Sequence, residues 1–199
     1  MSEVRDRITP HSLLPLSSYQ RQRRQRRLHA IAHQRERCLT LGPDLRLQFE
    51  DETSVRHLIQ EVLHIERIAD APQVQHTIDA FAHLLGDADS WTATLYIEMP
   101  EAARRERELP VLSQAAHHLY LGCPGLPRSF ADANQDLPDR HLRRPSGVHF
   151  LRFALSHAMR DALRAGRAVV LGCAHPGYAW QRSVPAPLLR RLCEALQAA

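Results

Sequence analysis

The sequence predicts an α+β domain: one mixed, mainly antiparallel sheet with helices packed on it. Three observations carry this. Residues 45–50, 92–99 and 148–155 alternate apolar with polar side chains, the pattern of half-buried strands. Segments at about 53–68, 72–85 and 187–196 carry apolar stripes at helical spacing. The order of elements is helix, strand, two helices, strand, helix, several strands, helix, two strands, helix. It lacks the regular alternation of a doubly wound fold.

The chain has 199 residues, enough for one well-formed core and short for two. Residues 1–16 carry two prolines and read as an extended lead-in, leaving 17–199 as a single domain. Apolar residues make up 44% and charged residues 24%, ordinary values for a globular protein. No apolar run approaches the roughly 18 residues of a membrane span. The start, MSEVRDRITPHSLLPL, has no apolar stretch with a cleavage site, so no secretory signal is read there. Cys38, Cys123, Cys173 and Cys193 form no CxxC pair, which fits a reducing cytoplasm. No Walker loop, GxGxxG, GxSxG or HExxH occurs, which disfavours those nucleotide sites and hydrolase devices.

The elements follow in order. Ser17 or Ser18 caps a helix over 18–38, and Gly42-Pro43 ends that region. Leu45, Leu47 and Phe49 then alternate with Arg46, Gln48 and Glu50. Thr53 caps the next helix, over 53–68. Pro72 sits in the first turn of another, where its missing N–H costs nothing, and Gly86 closes it. Ala93, Leu95, Ile97 and Met99 mark a strand. Pro100 opens a charged helix that Pro110 interrupts. Short strands are expected at 118–123 and 128–131, and a polar loop at 132–146. After the strand at 148–155, Ser156 caps a short helix that ends at Gly166. The almost wholly apolar 168–174 reads as a central strand buried on both faces. His175-Pro176-Gly177-Tyr178 suits a type II turn, with a return strand to Val184. Pro185 and Pro187 introduce a last helix with Leu189, Leu192 and Leu196 on one face.

Every basic side chain apart from histidine is arginine, and the net charge is +4. Residues 21–37 hold seven arginines against one acid, Glu36, or +6 in one segment. The remainder is therefore slightly acidic. The run QRQRRQRR at 20–27 suits nucleic acid, an acidic protein partner or a plain solvated face. It has no interleaved aromatic beyond Tyr19.

Polar side chains on apolar faces are the candidate site. On a helical wheel Glu66 falls near the centre of an arc made by Val55, Leu58, Ile59, Val62, Leu63 and Ile65. A carboxylate there must be paired, hydrogen-bonded or protonated. Arg56, Gln60 and Arg67 flank it. Glu61 and His64 have the Glu-x-x-His spacing of di-iron bundles, but no second copy exists. With His57 they lie opposite the apolar arc, on the expected solvent face. His149 shares a strand face with Leu151, Phe153 and Leu155, as a core histidine or a ligand. His175 stands at the end of a buried strand, and Glu98 at the end of its own. If Glu66, His149, His175 and Glu98 meet, they could hold iron, manganese or zinc, or do acid–base work. Tyr178 could line the same pocket.

The stretches FEDETSVRHLIQEVLHIERI (49–68), ATLYIEMPEAARRERE (93–108), SGVHFLRFAL (146–155) and AHPGY (174–178) together resemble an uncharacterised bacterial family, domain-of-unknown-function family 3501. The resemblance covers most of residues 12–185. It supplies no reaction. It implies a gene neighbourhood of rubrerythrin-like and iron–sulfur proteins, hence a link to iron or peroxide stress and a partner of that kind. Arg56, Gln60, Glu61, Glu66, Arg67, Glu98, His149, Arg152, His175 and Tyr178 match the family pattern, and His64 departs from it. The expectation is thus a cytoplasmic accessory protein that binds a metal or small ligand; whether it is an enzyme stays open. Glu66 is the expected buried acid or ligand, His149 its partner, and His175 a ligand or acid/base at the rim. Arg56 and Arg67 would orient carboxylates or an anionic ligand. The alternatives are a nucleic-acid-binding module or a protein-interaction adaptor, both using the arginine-rich helix 20–37.

Overall fold

The structure is a computed structural model that describes residues 8–133 and 145–197. The loop expected at 132–146 falls largely outside the described residues. The helices are α1 (Leu16–Arg35), α2 (Glu52–Ile65), α3 (Ala71–Phe81), α4 (Ala102–Ala115), α5 (His157–Arg164) and α6 (Ala186–Gln197). The strands are β1 (Cys38–Leu41), β2 (Leu45–Phe49), β3 (Ser90–Ile97), β4 (Leu119–Gly122), β5 (Ser129–Ala133), β6 (Val148–Ala154), β7 (Val170–Cys173) and β8 (Gln181–Ser183). They form one sheet in the order β1-β2-β3-β6-β5-β4-β7-β8, with every neighbouring pair antiparallel.

Register assigns the two faces. Leu47 stands opposite Leu95, and Leu95 opposite His149. The next row is Gln48, Thr94 and Phe150. Because side chains alternate along each strand, the first row faces one layer and the second row the other. The inner face merges Leu47, Phe49, Trp91, Leu95, Leu121, Phe153 and Leu171 with Leu112 of α4, Met159 of α5 and Leu192 of α6. A second apolar cluster joins Val55, Ile59 and Leu63 of α2 to Ile78 of α3, with Phe150 of the outer face against it. The helices therefore form two layers, one on each side of β2-β3-β6. Ile8 and Leu13 are buried in this second cluster, so the segment 8–15 packs against α2 and α3.

The two ends of the strand order meet. Arg182 of β8 donates to the Thr40 carbonyl of β1 at 3.1 Å. Tyr178, buried just before β8, donates to the Leu41 carbonyl at 2.7 Å and accepts from the Asp44 N–H at 3.0 Å. The sheet must curl to bring β1 and β8 this close. Gly42, in the β1–β2 turn, has φ +63°, and a Cβ there would lie 2.5 Å from the Tyr178 hydroxyl. Glycine alone allows both the turn and this approach.

Several boundaries differ from expectation for physical reasons. Helix α1 runs from Leu16 to Arg35, and the residues between it and Gly42, where no strand was expected, include β1, which pairs with β2. Asp51, not Thr53, caps α2, accepting from Ser54 N at 2.9 Å. Pro110 does not interrupt α4. Leu112 and Ala115, beyond it, are buried under the sheet, and that burial outweighs the roughly 3 kcal/mol a helical proline costs. The strand read as central, now β7, is next to the edge strand β8. His175-Pro176-Gly177-Tyr178 forms a short 3-10 turn, not a type II turn; Gly177 is not among the positive-φ glycines.

Tyr178→Phe tests the closure. It leaves the buried Leu41 carbonyl and Asp44 N–H without their hydroxyl partner, and should cost about 2 kcal/mol. Urea denaturation measures this; a midpoint equal to that of the parent protein would show that the hydroxyl does not hold the two edges.

Candidate functional site

The residues expected to converge do not. His149 is buried at 1% exposure on the inner face. Its Nε2 lies 2.9 Å from the Ser146 carbonyl and 3.3 Å from Ser113 Oγ of α4. A ring nitrogen beside a carbonyl must carry the proton, so this Nε2 offers no lone pair to a metal. Glu66 lies in the opposite layer. Helix α2 ends at Ile65, and Glu66 is its exposed C-cap. The Ile68 N–H closes the helix onto the Leu63 carbonyl at 2.9 Å, a Schellman bond, with Arg67 left-handed at φ +55°. The wheel placed Glu66 on the core arc only by extending the helix past this point. Arg67 is exposed on the same turn.

His175 caps its own turn, Nδ1 accepting from the Gly177 N–H at 3.1 Å, and its ring meets His118 edge-on at 5.3 Å. Glu98 is exposed and pairs with Arg46 at 2.6 Å, and that guanidinium lies 4.3 Å from the centre of the Tyr96 ring. Arg56 pairs with Glu52 and donates to the Ser12 carbonyl at 2.8 Å. Arg152 pairs with Asp87. Tyr178 is the structural bridge described above. Among the described residues no three His, Cys, Asp or Glu side chains are placed to hold a metal ion.

The structure instead gathers ionisable groups where α1 crosses α2. The face of α2 expected to meet water is covered by α1. Tyr19, 1% exposed, donates its hydroxyl to Glu61 Oε1 at 2.7 Å. Arg23 grips the same carboxylate with two nitrogens, Nε at 2.9 Å and Nη2 at 2.7 Å. His57 Nδ1 lies 3.4 Å from the Tyr19 hydroxyl, and the His64 ring stands 5.9 Å from the Tyr19 ring. At the other end of α1, His33 Nε2 meets Asp51 at 2.8 Å. The buried Arg37 lies 3.4 Å from the same carboxylate and donates to the Phe49 carbonyl at 3.2 Å. Two carboxylates near opposite ends of α2 thus hold two points along α1. Gln60, between them, ties down the preceding segment: its amide accepts from Leu14 N at 2.7 Å and donates to Leu14 O at 3.3 Å.

The electrostatics follow from these contacts. Arg23, ahead of the Tyr19 hydroxyl, outweighs burial and lowers Glu61 from 4.5 to about 2. Burial, reinforced by the Glu61 charge, holds the Tyr19 hydroxyl well above its ordinary range. Burial also depresses His57; Arg23, Arg26 and Arg27 add to this, and Glu61 opposes it. At Asp51, burial pushes the carboxyl up, but His33, Arg37 and the Ser54 N–H together bring it below its usual value. The signal for this arrangement was present in the sequence. Tyr19, Arg23, Arg26, Ala30, His33 and Arg37 recur at spacings of four and three, one helical face.

The fold and this junction define a class: a curled antiparallel α+β domain whose basic first helix is clamped by two carboxylates. The chain matches, over residues 7–196, the family described as Protein of unknown function (DUF3501), and it belongs to that family. It is similar to a crystal structure from Burkholderia pseudomallei K96243, described as a novel protein of unknown function. The two are 36% identical, with 94% of this chain and 98% of that one covered and a TM-score of 0.89. No curated protein matches the chain. Among the described residues, no helix is long and apolar enough to cross a membrane.

Glu61 supplies a pH test. Its folded pKa is depressed, so its stabilisation is complete above the ordinary 4.5 and is lost as pH falls towards about 2. Discounted for solvent screening, the loss should be about 1 to 2 kcal/mol. Glu61→Gln should be less stable at neutral pH and should lose less stability between pH 5 and about 2. Denaturation at a series of pH values checks this; parallel curves for parent and variant would contradict it.

Proposed function

We propose that the chain is an accessory protein that docks an acidic partner protein on the outer face of α1. The observation that carries this is the composition of that face. Arg21, Arg24, Leu28, Ile31 and Arg35 follow one another at spacings of three and four, and all are exposed. The contacts to α2 use the other side of the helix. Leu28 is 63% exposed and Ile31 36%. No acidic residue occurs from Leu16 to Arg35. An apolar centre rimmed by cations suits an amphipathic acidic segment, whose own apolar residues would cover Leu28 and Ile31.

Nucleic acid is the competing ligand for arginine, but phosphate contacts have no use for the two aliphatic side chains. By the resemblance, the partner is sought first among rubrerythrin-like and iron–sulfur proteins, in an iron- or redox-linked pathway. The setting is the cytoplasm, where the free thiols of Cys38, Cys123, Cys173 and Cys193 suit a reducing medium. Iron, manganese or zinc is not assigned to Glu66, His149, His175 and Glu98, because Glu66 is exposed at the end of α2 and the other three side chains are held by other partners.

Capture of rubrerythrin-like and iron–sulfur proteins on the immobilised chain tests the proposal. Leu28→Asp/Ile31→Asp should weaken capture by about tenfold or more, or about 1.4 kcal/mol. Both positions are exposed, so the fold should survive. Arg21→Ala/Arg24→Ala should weaken capture and reduce its dependence on salt. Capture unchanged in the aspartate variant, with duplex DNA bound instead, would replace the protein partner with nucleic acid.

A further inference from the structure

The α1–α2 junction encloses something the docking face does not use. Between the Glu61 and Asp51 contacts the two helices leave a cleft of about 320 Å³. Its floor includes Tyr19, Ala30 and His57, and its walls carry Gln22, Arg26 and Arg56. Among the described residues no carboxylate lines it. Glu61 is turned into the bonds from Arg23 and Tyr19, and Glu52 meets Arg56. Arg26 donates to Gln22 Oε1 at 3.1 Å and, among the described residues, meets no carboxylate.

The hydrogen-bond directions at the floor are fixed by valence. Tyr19 has one hydroxyl proton, and it goes to Glu61 at 2.7 Å. The hydroxyl therefore offers only lone pairs to His57 Nδ1, 3.4 Å away. A neutral imidazole in that position carries its proton on Nδ1, which leaves Nε2 as an acceptor. Burial and the surrounding arginines keep the ring neutral by depressing its pKa, so this acceptor is present at neutral pH. The cleft thus combines cationic donors on the walls with a neutral acceptor at the floor.

We propose that this cleft binds a small oxyanion that carries its own O–H, seated on Arg26 with Arg56 beside it and donating to His57. Hydrogen phosphate and hydroxycarboxylates share that chemistry. Arg56 need not leave Glu52, since a guanidinium has five N–H donors and can serve both. The site is independent of the partner proposed for the outer face of α1. Leu28 and Ile31 do not line the cleft.

Isothermal titration of the full chain with inorganic phosphate, and separately with citrate, tests the proposal. Saturable binding of phosphate alone identifies the phosphate class, and binding of citrate alone the carboxylate class. Arg26→Gln, on an exposed helix position, should weaken whichever binds by about tenfold. His57→Phe should weaken it as well, while Leu28→Asp/Ile31→Asp leaves it unchanged. A shift of the His57 ring resonances on titration places the ligand at the floor. Saturation by neither anion, or affinity unchanged in Arg26→Gln, overturns the proposal.

Discussion

The carboxylate of Glu61 decides where the arginine-rich helix lies. Few residues of α1 are apolar, and only Tyr19 and Ala30 of its length are fully buried. Apolar burial therefore gives it little adhesion; one buried tyrosine contributes only about 2 kcal/mol by area. What gives the helix a defined position is directional. Tyr19 and Arg23 bond to Glu61 at one end, and His33 and Arg37 meet Asp51 at the other. Asp51 also caps α2, so the same carboxylate starts one helix and holds the one before it. Both proposals depend on this placement. The contacts to α2 leave Arg21, Arg24, Leu28, Ile31 and Arg35 facing outwards, and they frame the cleft on the inner side.

The sheet supplies the platform. Its outer face carries the α1–α2–α3 layer and its inner face α4, α5 and α6. Closure by Tyr178 and Arg182 ties β1 to β8, although these strands stand at opposite ends of the strand order. His149 belongs to this platform. Its ring is held between α4 and the start of β6, and the polar group on an apolar face proves to be a satisfied core residue. The same holds for Tyr178, whose hydroxyl is consumed by backbone partners.

Alternation and helical stripes made the sheet strands at 45–49, 90–97 and 148–154 legible, because a half-buried strand writes its burial directly into every second residue. β1 was hidden because only Leu39 and Leu41 mark its pattern and it follows α1 within a few residues. The site was less legible. A helical wheel says which face is polar, but not whether another helix covers it. Glu61, His57 and His64 therefore read as solvated, although α1 lies over them. The wheel also assumes that a helix continues. Glu66 was assigned to the core by its angle, but α2 stops one residue earlier, and even Ile65 is 64% exposed. Convergence of Glu66 with His149 failed for a third reason: neighbouring strand residues face opposite layers. Phe150, not His149, points towards α2.

Hydrogen exchange along α1 in Glu61→Gln measures the clamp itself. If Glu61 fixes the helix, backbone amides in the first half of α1 should lose protection in the variant. Those next to the Asp51 contact, and those of α2, should keep theirs. Equal protection throughout α1 in parent and variant would show that the helix is held by something other than this carboxylate.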